Sequence, residues 1–74
     1  MDGHGFADAL KSLEEGLPVR RQEWREKATL YLFEDDEERT LYFDCGFWRH
    51  VWIPTQYEIL ARDWGPGEWP EDRD

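Results

Sequence analysis

Apolar residues recur at Phe6, Ala9, Leu10 and Leu13, the i, i+3, i+4, i+7 spacing that lays one face of an α-helix against a core. Asp8 falls in the first turn, where the helix dipole favours a carboxylate, and Gly16 stands where a left-handed residue ends a helix at no steric cost. Glu14 and Glu15 sit at the unfavourable end of that dipole, a placement the sequence does not explain. After Pro18 the pattern changes. Val19 to about Trp24 reads as an extended segment, and Thr29 to Phe33, rich in β-branched and aromatic side chains, reads as a strand. Asp35-Asp36-Glu37-Glu38 makes a polar turn, and Thr40 to Phe43 returns as the second strand of a hairpin. Asp44-Cys45-Gly46 supplies the next turn, with Gly46 free to take positive φ. A strand from Phe47 to Ile53 follows. Its alternation sends Phe47, Arg49, Val51 and Ile53 to one face and Trp48, His50 and Trp52 to the other, so both faces carry bulk and the strand is expected inside an assembly.

The strongest local signal lies beyond Pro54. Thr55 and Glu58 stand in the Thr-x-x-Glu spacing of a capping box, in which hydroxyl and carboxylate reciprocally satisfy backbone donors left open at a helix start. A short helix should run through Tyr57, Ile59, Leu60 and Ala61 and hand over to Asp63-Trp64, bringing Trp52 and Trp64 to the two ends of one compact turn. From Gly65 the chain reads as a frayed end over residues 65–74, with Trp69 against a neighbour. The expected architecture is a single α+β domain over residues 1–74, an N-terminal helix packed on a twisted antiparallel sheet with a short second helix near the C-terminus.

Composition adds a constraint on size. A chain of 74 residues buries a modest core relative to the entropy that folding opposes. Its one cysteine, Cys45, precludes an internal disulfide, and no His/Cys spacing resembles a structural zinc site. Five Trp, four Phe and three Tyr are more than so short a chain hides easily, and such rings favour interfaces and flat ligand surfaces. A homo-oligomer is therefore expected. No apolar run is long enough to span a membrane and no leader stands at the N-terminus, so the expected location is cytosolic.

A formal net charge of −9 argues against binding polymeric nucleic acid, whose affinity comes from neutralising phosphates with Lys and Arg. It leaves room for a small anionic ligand, because a pocket can be locally basic in an acidic protein. The acidic residues concentrate at Asp35 to Glu38 and after Gly67, while Arg20, Arg21, Arg25 and Lys27 form the opposite cluster. Cys45, His4 and His50 have no spacing of a catalytic pair. The acidic run lacks the glycine and alternating ligands of a calcium loop and reads as a solvated turn. No catalytic residue, metal site or cofactor is expected.

Arg21 with Trp24 carries more, because a guanidinium forks onto phosphate oxygens and an indole offers a flat face to a purine. From the residues alone, structural cation–π packing of an Arg on a core Trp is the favoured reading of the same pair. Thr55 and Asp63 share this double reading: Thr55 caps its helix or lends its amide neighbourhood to an anion, and Asp63 pairs with Arg62 or Arg21 or accepts a ribose hydroxyl or base amine.

The string from Trp52 to Trp64, Trp-Ile-Pro-Thr-Gln-Tyr-Glu-Ile-Leu-Ala-Arg-Asp-Trp, contains more than capping demands. It resembles the closing motif of the Thoeris anti-defence type 2 family. Phe6-Ala7-Asp8-Ala9-Leu10, then Leu13, Gly16, Val19, Arg21 and Trp24, are similar to that family's opening pattern, a short helix, a glycine stop and a strand carrying Arg-x-x-Trp. The resemblance spans Phe6 to Trp64 with a weaker middle.

It implies a small phage protein that acts as a sponge in the cytoplasm of the bacterial host. Such a protein forms a tetramer of compact α+β subunits and sequesters a nucleotide second messenger without cutting it. The implied ligands are glycocyclic ADP-ribose molecules of Thoeris defence or cyclic dinucleotides of CBASS-type defence. Carried over by position, the implied ligand-binding residues are Phe6, Arg21, Trp24, Thr55, Asp63 and Trp64. The chain departs from the family pattern after Trp24, where Arg25-Glu26 replaces an expected Asn-Gly and the central hairpin is shorter. Arg25 adds a charge for phosphate, so the departure bears on ligand identity more than on fold. The alternative, from a different class, is an acidic interaction module that imitates DNA and inhibits a DNA-binding protein; a third is a structural phage subunit.

Overall fold

The computed structural model describes residues 4–24 and 27–70. Helix α1 (Phe6–Glu14) is followed by strands β1 (Val19–Arg21), β2 (Thr29–Glu34), β3 (Arg39–Asp44) and β4 (Arg49–Val51), then helix α2 (Gln56–Leu60) and strand β5 (Trp64–Pro66). The strands form one antiparallel sheet in the order β4-β3-β2-β1-β5. The fold is α+β, with the N-terminal helix on the sheet and the short second helix near the C-terminus.

The apolar stripe of α1 buries Ala9 and Leu13 against Val19, Leu30, Trp52 and Trp64. Helix α1 ends at Gly16, whose φ of 90° is the left-handed geometry that glycine adopts without penalty. Arg39 on β3 reaches Glu14 at 3.4 Å, a cation brought from the sheet to the acidic helix end that the sequence alone left unexplained. The β2–β3 turn closes through Asp35, whose carboxylate accepts the backbone N–H groups of Glu37 and Glu38, each at 2.8 Å.

Alternation along the strands gives the sheet two distinct faces. Val19, Leu30 and Trp64 face α1. Tyr31, Tyr42 and Arg49 occupy the opposite face, where Arg49 lies 4.5 Å from the Tyr42 ring centre and donates to the Tyr31 hydroxyl at 3.1 Å. Arg20 falls on that second face, and Arg21, paired with Trp64 in register, on the first.

Three strands differ from expectation. The extended segment from Val19 stops at Arg21, because the Trp24 N–H turns back onto the Arg21 carbonyl at 3.1 Å and the Asp63 carboxylate takes the Glu23 N–H. The strand expected over Phe47 to Ile53 is confined to Arg49–Val51: Cys45 N–H bonds to the Trp48 carbonyl, drawing Phe47 and Trp48 into the turn, and Pro54 ends the extended run. It lies at the sheet edge with Phe47, Val51 and Ile53 exposed. Trp64–Pro66, with no strand expected at Gly65-Pro66, pairs with all of β1; proline is tolerated there because β5 is an outer strand.

Candidate functional site

Both ends of the chain's motif pattern meet on the α1 side of the sheet. Arg21, from β1, directs Nε to a carboxylate oxygen of Asp63 at 2.8 Å and a terminal nitrogen to Glu23 at 2.9 Å. The second Asp63 oxygen accepts the Glu23 N–H at 3.3 Å, and the Gln22 N–H bonds to the Asp63 carbonyl at 3.1 Å. Asp63 therefore closes the turn after β1 as well as pairing with Arg21. Hydrogen bonding to Arg21 holds the Asp63 carboxyl below the usual range, and the same bond raises the Arg21 guanidinium further above its ordinary value.

Aromatic rings fill the space beside this pair. Trp24 meets Trp64 edge-on with centroids 5.3 Å apart, and meets Phe43 in the same way at 5.1 Å. Phe6 lies 5.4 Å from Trp64 and 5.8 Å from Trp52, and Trp52 lies 6.2 Å from Trp64. The expectation that Trp52 and Trp64 flank one compact turn is met. Trp64 is 1% exposed, and its indole N–H donates to the Glu58 carbonyl at 2.9 Å, holding α2 onto the core. Phe6 and Trp24 are only partly buried.

Of the residues singled out in the sequence, Phe6, Arg21, Trp24, Asp63 and Trp64 thus share one junction. Thr55 stands apart from it, at the start of α2, where the complete capping box forms: its side chain accepts from the Glu58 N–H while the Glu58 carboxylate accepts from the Thr55 N–H. Arg25 and Glu26 lie outside the described residues.

A second feature occupies the opposite face. A cavity of about 340 Å³ opens between the β3–β4 turn and the segment after β5, lined by Arg20, Lys27, Thr29, Gly46, Glu68 and Trp69 among others. The Arg20 guanidinium donates to the backbone carbonyls of Arg21 and Trp24. Gly67 N–H bonds to the Pro18 carbonyl at 3.0 Å, and the Trp69 ring lies 5.6 Å from Tyr31. Sequence reasoning grouped Arg20 and Lys27 with the basic cluster but singled out Arg21; strand alternation, which separates adjacent arginines to opposite faces, was the available signal. Among the described residues no group of His, Cys, Asp and Glu could hold a metal ion, and no helix is long and apolar enough to cross a membrane.

A family model described as the Thoeris anti-defense 2-like domain matches residues 4–65. A relative named Thoeris anti-defense 2, from Bacillus phage SP01, is 25% identical over 79 aligned residues, covering 80% of this chain and 89% of the relative.

Proposed function

The chain belongs to the Thoeris anti-defense 2-like family, and from that premise we propose that it is a phage anti-defence sponge, which binds a cyclic nucleotide immune messenger and withholds it from its effector without cleaving it. The observation that carries this reading is the junction of Arg21, Trp24, Asp63 and Trp64, where the opening and closing motifs of the sequence are joined by the Arg21–Asp63 ion pair. A sponge works by mass action, so it requires abundance and an affinity in the nanomolar range, about −12 kcal/mol. A rigid, ring-packed junction suits that requirement because a fold ordered before ligand arrives loses little entropy on binding. The messenger is a glycocyclic ADP-ribose or a cyclic dinucleotide, the protein acts in the host cytoplasm, and the subunits assemble as a homo-oligomer, a tetramer by family resemblance.

Native mass spectrometry against a panel of glycocyclic ADP-ribose isomers and cyclic dinucleotides, followed by heat denaturation, tests this. Binding of one compound and its release intact is the expected result. Release of an altered compound would make the protein an enzyme, and absence of binding across the panel, with capture of a DNA-binding protein, would favour the acidic mimic.

A further inference from the structure

We propose that the messenger is held in the cavity on the second face of the sheet, with Arg20 and Lys27 receiving its phosphate and Trp69 stacking on its base. This deepens the sponge reading and rests on it for the ligand's identity. The volume, about 340 Å³, lies within the range of small-molecule sites, and the lining unites the two chemistries a nucleotide needs: cationic donors for phosphate and an aromatic plane for a base.

Each of the three contacts is built into the fold. The Arg20 guanidinium is oriented by the carbonyls of Arg21 and Trp24. Those carbonyls belong to the turn that Asp63 closes from the other side of the sheet. The motif junction thus fixes the position of a cation on the opposite face, which gives Arg21, Trp24, Asp63 and the buried Trp64 a supporting role. The Lys27 stem packs against Gly46, where an added Cβ would fall 3.1 Å from the lysine Cβ. The absence of a Cβ keeps that approach open, and the φ of 98° at Gly46 is one that glycine adopts without penalty. Trp69 is 55% exposed while its ring also contacts Tyr31, so one side is supported and indole surface remains for a ligand. Glu68, on the same wall, supplies an acceptor for a ribose hydroxyl or an exocyclic amine.

The test uses the full-length chain and calorimetric titration with whichever panel compound the wild type binds most tightly, on Trp69→Ala, Trp69→Phe, Arg20→Gln and Lys27→Ala. Each variant is first checked by thermal unfolding. Trp69→Ala should weaken binding about tenfold or more and Trp69→Phe should recover most of it, the signature of stacking. Arg20→Gln and Lys27→Ala should weaken binding about tenfold each and make it less dependent on salt. Unchanged affinity in all four folded variants, with the wild type still binding, would overturn this site and leave the sponge reading standing. A wild type that binds nothing in the panel would overturn both. A Trp69→Ala variant that changes oligomeric size while binding ligand normally would assign Trp69 to a contact between copies and likewise overturn the site.

Discussion

Arg21 Nε lies 2.8 Å from the carboxylate of Asp63, a side-chain contact that ties the start of the sheet to the chain's last strand. Asp63 is only partly exposed and also serves the Glu23 N–H, so Asp63→Asn should cost about 1–2 kcal/mol of stability, more than an open surface pair. The pH dependence has a defined sign. The Asp63 carboxyl is held below its ordinary value by Arg21, so its stabilisation is complete where the unfolded carboxylate is ionised, above about pH 5, and is lost as pH falls through the lowered folded value. Melting temperatures of wild type and Asp63→Asn should differ at neutral pH and converge below about pH 4. A gap that stays constant into acid would show that the pair does not titrate with folding.

Thr55→Ala removes one half of the capping box at α2 and should cost about 1 kcal/mol. The helix has five residues and none is buried, and its Glu58 carbonyl is held by the Trp64 indole. Loss of the cap should therefore raise amide hydrogen exchange in α2 while leaving the sheet protected. Exchange that rises equally everywhere would mean that α2 and the sheet unfold as one unit.

The parts of this fold that were legible in the sequence are those governed by local rules. The α1 stripe, the left-handed Gly16 and the Thr55/Glu58 box each depend on residues within a few positions of one another. The length of β1 was not legible in that way, because it is ended by Asp63 from far along the chain; the late start of β4 is local, set by the Cys45 N–H bond to the Trp48 carbonyl, but no residue pattern marks it. Gly65-Pro66 has no strand periodicity and becomes one only because β1 offers it partners. The motif junction is partly legible: the sequence offers Arg21 as one of two partners for Asp63 and sets Trp52 and Trp64 about one turn, but the packing of Phe6 and Trp24 on Trp64, and of Phe43 on Trp24, is tertiary. The cavity is not, since Arg20, Gly46 and Trp69 come together only through tertiary approach.

Edge strand β4 and the residues on either side of it expose Phe47, Val51 and Ile53, and α2 exposes Tyr57 and Leu60. An outer strand with open hydrogen-bonding groups and apolar side chains invites a second chain. Phe47→Ser and Ile53→Lys together should leave the melting profile of the monomer nearly unchanged, because both side chains are in solvent, and should lower the mass found by sedimentation equilibrium. Wild type that sediments as a monomer at high micromolar concentration would overturn the homo-oligomer.

Gly67 gives the sharpest separation of folding from ligand binding. An added Cβ there would lie 2.5 Å from the Thr29 hydroxyl oxygen and 3.0 Å from the Val19 carbonyl carbon and oxygen. Thr29 cannot yield freely, because it is buried and its hydroxyl donates to that same Val19 carbonyl at 3.1 Å. Gly67→Ala must therefore push the segment after β5 outward and break the Gly67 N–H bond to Pro18, at a cost of about 1–3 kcal/mol. Trp69, two residues on, moves with it and leaves Tyr31. If the messenger stacks on Trp69, the variant should lose affinity by more than its modest loss of stability explains, and at temperatures where it remains fully folded. Normal binding by a folded Gly67→Ala protein would mean that the segment is dispensable to the ligand, and would overturn the site at Trp69.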